Sequence, residues 1–251
     1  MTLFDKILFF ISVPKCVFCG EALKLGERGI CKKCSVLYDN AKARNCSICS
    51  KPLYLCDCTS KYLESHYVHK LVKVFRYRSG ENSPANQLIY HLKRDNRRDI
   101  VDFLAEELSN SILASVKIDS NTIITYVPRR KKAILEYGID HSKDLAKAIA
   151  KKLSVDYAPT LISLSKKPQK KAENIEDRRE NAQFKLKNRN TDLTQKTVIL
   201  VDDIVTTGAS MGAAAFNLKT LDAKRIIGAA ISVAYKDYYI PPSSKDRFNK
   251  K

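Results

Sequence analysis

VILVDDIVTTGAS, Val198 to Ser210, is the stretch whose reading decides the fold. Val198-Ile199-Leu200-Val201 is short, continuous and rich in β-branched residues, which suits a strand buried on both faces. Two adjacent carboxylates, Asp202 and Asp203, follow directly, and then Thr206-Thr207-Gly208-Ala209-Ser210. Beyond Ser210, the residues Met211, Ala214, Ala215, Leu218 and Leu221 fall along one helical stripe. The unit therefore reads strand, polar loop, helix. Ligands of open parallel sheets bind at that edge, outside the carboxyl ends of the strands.

The residue types in the loop suggest what it would hold. The first N–H groups of a helix lack internal partners, and the helix dipole favours an anion there. Gly208 allows close backbone approach, and the threonine and serine hydroxyls add donors, so a phosphate monoester fits. Carboxylates repel phosphate, which leaves Asp202 and Asp203 for neutral hydroxyls or a metal. The pattern thus suits a sugar phosphate, phosphate on the loop and hydroxyls on the acids. An Asp-rich turn followed by a Ser/Thr helix cap is the competing reading of the same residues.

Elsewhere the chain alternates strands and helices. Leu71 to Tyr77 reads as strand or hairpin, Gln87–Leu92 and Ile100–Ile112 as helices, and Asn121 to Val127 as a second buried strand ended by Pro128. A helix with Leu145, Ala148, Ile149 and Leu153 in phase comes later. Alternation of this kind means an α/β fold with a mostly parallel sheet. The basic loop Arg129-Arg130-Lys131-Lys132 leaves the second strand, where Arg129 and Arg130 could hold the pyrophosphate of the same ligand; Lys131 and Lys132 read as solvated charge. Lys166 to Phe184 is highly charged, without an apolar stripe, and reads as a mobile cover or as a linker.

All eight cysteines lie between Cys16 and Cys58: Cys16-x-x-Cys19, Cys31-x-x-Cys34, Cys46-x-x-Cys49 and Cys56-Asp57-Cys58. Two thiolates separated by two residues grip one metal from a tight turn and leave two tetrahedral positions for a second pair. Two structural Zn²⁺ sites are the expectation, with iron–sulfur ligation and a disulfide framework as rivals. Pairing in sequence gives Cys16, Cys19, Cys31, Cys34 and Cys46, Cys49, Cys56, Cys58; a cross-braced pairing satisfies the spacing equally. Sites closed by four sulfurs leave no open position for substrate, so a structural role follows. We expect a helix and zinc-binding head over residues 1–60 and an α/β domain over 61–251.

The 251 residues carry 45 Lys and Arg against 27 Asp and Glu, a formal charge of +18 that favours polyanionic partners. Two zinc ions on eight thiolates lower that to about +14 without changing its sign. No apolar run reaches membrane-spanning length, so stable membrane insertion is not expected. Leu3, Phe4, Ile7, Leu8 and Ile11 make a short helical stripe without a basic leader or cleavage site, and a cytoplasmic protein is the expectation.

VILVDDIVTTGAS closely resembles the phosphoribosyl-pyrophosphate (PRPP) motif of type I phosphoribosyltransferases. The resemblance implies that Asp202 and Asp203 bind ribose hydroxyls and that Thr206, Thr207, Gly208, Ala209 and Ser210 cradle the 5′-phosphate. It also implies Mg²⁺ arriving with PRPP, mostly on the ligand's own oxygens. The order of a cysteine-rich head, Val127-Pro128 with basic residues, Tyr137-Gly138-Ile139-Asp140-His141, Gln169, Arg178-x-x-Asn181, Phe184 and the PRPP motif resembles the ComF family over nearly the whole chain. Two residues depart from that pattern: Ile139 stands for an aromatic and His141 for a glutamine, and His141 reads as a helix-start residue. The family implies a PRPP-binding protein that serves single-stranded DNA uptake or processing in natural competence, with single-stranded DNA and competence proteins as partners and Arg178 as a lid candidate beside Arg129 and Arg130. The alternative is an active transferase moving ribose 5-phosphate from PRPP to a nitrogen nucleophile. No catalytic nucleophile is singled out, and such chemistry needs little beyond positioning and charge stabilisation. Glutamine amidotransfer is not expected, because the first cysteine, Cys16, lies in a metal knuckle.

Overall fold

The computed structural model describes residues 13–95, 97–164, 183–188 and 191–234. The expected helix before Pro14, the segment Lys166–Lys171 with Gln169, and Arg178 and Asn181 lie outside the described residues. Among the described residues no helix is long and apolar enough to cross a membrane.

The body is a five-stranded parallel sheet of β1 (Val68–Arg76), β2 (Thr122–Tyr126), β3 (Asp156–Tyr157), β6 (Thr197–Val205) and β7 (Arg225–Val233), in the order β1-β7-β6-β2-β3. A two-stranded antiparallel ribbon, β4 (Leu161–Ser163) with β5 (Phe184–Leu186), forms a separate sheet whose Leu161, Phe184 and Leu186 pack on the body. The helices are α1 (Lys32–Lys42), α2 (Lys61–Ser65), α3 (Pro84–Arg94), α4 (Arg98–Ser115), α5 (Lys131–Tyr137), α6 (His141–Leu153) and α7 (Ala209–Lys219). The α/β class read from the sequence is therefore observed: a parallel sheet flanked by helices. The first apolar run past the cysteines is one long strand, not a hairpin.

The two faces of the sheet carry separate cores. On one face Val72, Ile124, Ile199, Val201 and Ile227 meet Leu88 and Leu92 of α3, Leu104 and Leu108 of α4, and Leu145 and Ile149 of α6. Cys16, Cys31, Cys34 and Tyr38 join this same cluster, so the first cysteine quartet and α1 pack directly on the body. On the other face Val198, Leu200 and Ile226 meet Leu63 of α2 and Met211, Ala214, Ala215 and Leu218 of α7. The stripe read from the sequence is the buried side of α7, except that Leu221 lies past its end. Each such buried Leu or Ile contributes about 1.5–3 kcal/mol relative to exposure. Gly228 in β7 lets α7 approach: a Cβ there would stand 2.6 Å from Met211 Sδ and 3.0 Å from Leu71 Cδ1.

Helix starts follow local chemistry. Ser83 and Ser60 accept from the N–H groups of Asn86 and Leu63, both at 3.3 Å, and Pro84 occupies the first turn of α3. Asp140 caps α6 by accepting from Lys143 N–H at 3.4 Å. These caps decide where the chain leaves each strand, and so what stands at the sheet's carboxyl edge.

Candidate functional site

The sheet order creates a crevice. The chain leaving β2 runs through α5 and α6 to β3 on one side, whereas the chain leaving β6 runs through α7 to β7 on the other. Connections diverge at the β2/β6 boundary, which is the switch point where open parallel sheets bind ligands. Strand lengths deepen it. β2 pairs with β6 only as far as Tyr126 opposite Val201, with one more bond from Val127 N–H to Val201 O at 2.9 Å. β6 continues beside β7 to Val205 opposite Val233. Asp202 and Asp203 therefore sit within β6, not past its end, on the stretch that has lost β2 as a neighbour.

Each carboxylate has its own surroundings. Ser142 Oγ donates to Asp202 Oδ1 at 3.0 Å, and the Asp203 N–H donates to the same oxygen at 2.9 Å. Asp203 Oδ2 lies 3.4 Å from Lys93 Nζ of α3, and its Oδ1 accepts from Ile204 N–H at 2.6 Å. Burial, reinforced by the Asp203 charge, pushes the Asp202 carboxyl well above the usual carboxylate range. Burial also acts to raise Asp203, but the Lys93 and Arg129 cations outweigh it and hold that carboxyl low. One of the two acids is thus the ionised partner and the other the reluctant one.

The rim of β2 supplies the cations. Pro128 is buried, and the Arg129 N–H donates to Asp140 Oδ2 at 3.1 Å, which ties this loop to the start of α6. Burial raises the Asp140 carboxyl despite that bond. Lys131 and Lys132 are exposed on the first turn of α5, while Arg129 lies close enough to act on Asp203 and His141. His141 is the first residue of α6 and is 2% exposed, with Nε2 unpartnered. Burial and the Arg129 charge keep its imidazole low, so it stands neutral near Asp203.

Across the crevice, Thr206 is exposed and Gly208 begins α7 at φ 79°, a left-handed backbone that glycine adopts without penalty. Thr207 Oγ1 accepts from Ala209 N–H at 3.3 Å, and Gly208 offers no side-chain cap to the rest of the first turn. A Cβ on Gly208 would lie 3.0 Å from Leu63 Cγ and 3.4 Å from Tyr62 Cδ1, so α2 braces the loop from behind. Asp202, Asp203, Arg129 and the Thr206–Ser210 loop thus all border the β2/β6 boundary. Lys93, Ser142 and the bracing residues Tyr62 and Leu63 were not singled out by the sequence. Lys93 shares the basic last turn of α3 with His91 and Arg94, and nothing in the sequence sets it apart from them.

Residues 141–251 match the family model of the phosphoribosyl transferase domain. Among solved structures, the chain is similar to an adenine phosphoribosyltransferase, at 20% identity over 56% of this chain and 70% of that one, with a TM-score of 0.32. It is also similar to the adenine phosphoribosyltransferase of Saccharomyces cerevisiae complexed with D-2,5-dideoxy-2,5-imino-altritol 1,6-bisphosphate and adenine. That match has 23% identity over 56% and 69% of the two chains and a TM-score of 0.33. No curated protein sequence matches the chain.

The cysteines form two clusters, Cys16, Cys19, Cys31, Cys34 and Cys46, Cys49, Cys56, Cys58, each with its sulfurs within 4.8 Å of one another. The pairing is sequential, not cross-braced. All eight are free thiols, and the separations Cys19–Cys31 at 3.7 Å and Cys49–Cys56 at 3.6 Å are far from disulfide bonds. A tetrahedral ion with Zn–S bonds of about 2.3 Å needs sulfurs about 3.8 Å apart, so both quartets could hold zinc. Knuckle N–H groups point at sulfur: Ile48 to Cys46 Sγ and Cys58 to Cys56 Sγ, both 3.4 Å. Burial pushes the Cys16 and Cys46 thiols up, but such main-chain donors bring each down to about 7.

Proposed function

We propose that the chain is a PRPP-binding protein of the ComF type, in which the β2/β6 crevice holds ribose 5-phosphate and its pyrophosphate. The observation that carries this reading is the acidic pair on the overhang of β6, facing a cationic rim at Arg129 and lying upstream of the phosphate-suited start of α7. Asp203, kept ionised by Lys93 and Arg129, accepts a ribose hydroxyl; Asp202 takes the second hydroxyl with Ser142 as its neighbour. Thr206, Thr207, Gly208, Ala209 and Ser210 take the 5′-phosphate on hydroxyls and first-turn N–H groups. Arg129 and Arg130 take the pyrophosphate, with Arg178 as the lid cation. Mg²⁺ carried by the ligand would supply positive charge to offset the anion held beside Asp202 and Asp203. The match over residues 141–251 supports a phosphoribosyl transferase domain, and the ComF type and competence role rest on the order of motifs and on the charge of +18.

In this reading residues 1–60 form the zinc-stabilised head and 61–251 the ligand-binding body of a cytoplasmic protein. Single-stranded DNA is held mainly through phosphates, with little sequence preference.

The test is calorimetric titration with PRPP and Mg²⁺. The wild-type chain binds, and Asp202→Asn with Asp203→Asn weakens binding by about tenfold or more, because neutral amides do not replace carboxylate acceptors. Unchanged affinity in the folded double variant would sink the assignment. Release of pyrophosphate on adding an amine or a base would extend the reading to a working transferase. Affinity for single-stranded DNA that does not fall steeply with salt would remove the nucleic-acid part.

A further inference from the structure

The second quartet is fastened to the sheet. Among the described residues β1 is an edge strand whose sheet neighbour is β7, so its outer N–H and C=O groups need other partners. The segment Cys56-Asp57-Cys58 supplies one of them: Leu71 N–H donates to Asp57 O at 3.0 Å, and Lys70 Nζ pairs with the Asp57 carboxylate. Lys73, from the middle of the same strand, reaches Cys58 O at 2.6 Å and Leu71 O at 3.1 Å.

Lys73 is the unexpected member. It is 2% exposed, yet among the described residues no carboxylate pairs with it. Two carbonyls satisfy hydrogen bonds but do not neutralise a buried ammonium. Its nearest partner is the Cys58 carbonyl, so the ammonium is buried against the main chain of the ligand loop itself, beside Cys56 and Cys58 of the quartet.

We propose that Lys73 is the counter-charge of the second cysteine quartet, so that the metal there is held jointly by the head's thiolates and the sheet's edge strand. Four thiolates around one divalent ion leave a net charge of about −2, and a buried ammonium on the ligand loop offsets part of it. Loss of the ion leaves the ammonium buried without its counter-charge, and the loop is then held to β1 by the contacts of Asp57 with Leu71 and Lys70. Metal at the second site therefore stabilises the sheet's edge, whereas metal at the first stabilises the knuckles packed beside α1. This inference rests on the metal reading of the quartets and is independent of the sugar-phosphate reading.

The experiment compares wild type, Lys73→Met and Lys73→Gln, each refolded with zinc, by elemental analysis and by the rate of zinc transfer to a coloured chelator. Glutamine still donates to the two carbonyls but carries no charge. Wild type holds two zinc ions per chain; both variants keep the first-site ion and release the second about tenfold or more faster. Two ions held at wild-type rates in Lys73→Gln would overturn the counter-charge. Hydrogen exchange on the wild-type chain gives an arm that needs no variant: amides of Val68–Arg76, Leu71 foremost, gain exchange as the second ion leaves. Unaltered protection of β1 after both ions are stripped would overturn the coupling. A wild-type chain that takes up no zinc on refolding would instead overturn the metal reading itself.

Discussion

Replacing Gly208 by alanine separates backbone strain from crowding at the loop that starts α7. The native φ of 79° is left-handed, which costs a residue with a Cβ about 1–2 kcal/mol. The new methyl would also stand 3.0 Å from Leu63 Cγ and 3.1 Å from its Cδ2, tighter than ordinary contact, and Leu63 is fully buried. Overpacking of that kind adds about 1–3 kcal/mol. The sum, about 2–5 kcal/mol, lowers the melting temperature by roughly 4–20 °C in a domain of this size. Gly80 provides the control: its φ is 81°, and a Cβ there meets nothing within 4 Å. Gly80→Ala should lose only the backbone part, about 1–2 kcal/mol. The difference between the two variants, read by chemical denaturation, isolates the brace from α2. Gly208→Ala no less stable than Gly80→Ala would refute the packing of Leu63 against the loop. In calorimetry with PRPP and Mg²⁺, the same variant should bind more weakly even below its melting range, since a displaced loop re-aims its N–H groups.

Two further outcomes follow from the carboxylate pair. Lys93→Met removes the cation 3.4 Å from Asp203, and because Lys93 is partly exposed the loss at neutral pH should be about 1–2 kcal/mol, not the full penalty of a buried pair; equal denaturation midpoints would dismiss the contact. The pH dependence has two limbs of opposite sign. Asp203, held low, adds stability above the ordinary carboxylate value of roughly 4 that is lost as pH falls through its depressed value. Asp202, held high, keeps a proton that the unfolded chain releases, so stability declines as pH rises from roughly 4 through its raised value. Stability curves of Asp202→Asn and Asp203→Asn should each lack one limb, and two unaltered limbs in both variants would contradict the division of roles.

The strand, the acids and the helix of Val198–Ser210 were legible because burial on both faces leaves an unbroken apolar run and the helix keeps one stripe. The end of β6 was not legible. Asp202 and Asp203 look like a loop, yet β7 still pairs with them, and pairing is a long-range fact that no local pattern encodes. The quartets were readable from spacing, but not their sequential pairing, because both arrangements satisfy the same knuckles. Lys93 and Lys73 escaped for a related reason: a lysine in a charged chain carries no mark of burial until the fold brings Asp203 or the Cys58 carbonyl against it. His141 stands at the start of α6, where the sequence put a helix-start residue, and its burial came only with the packed sheet.

The sheet order also dictates a schedule. Val68 pairs with Ile226, so β1 must wait for a sheet partner made more than 140 residues later, after every other described strand has left the ribosome. The central strands must likewise wait, since β2 needs β6 before its ladder closes. The two cysteine quartets close over short loops and can form while the rest is still being synthesised. The ligand loop at Asp57 can then bond Leu71 on the outer rim of β1 long before β7 exists, interrupting that exposed ladder at its middle where a neighbouring nascent chain could otherwise add.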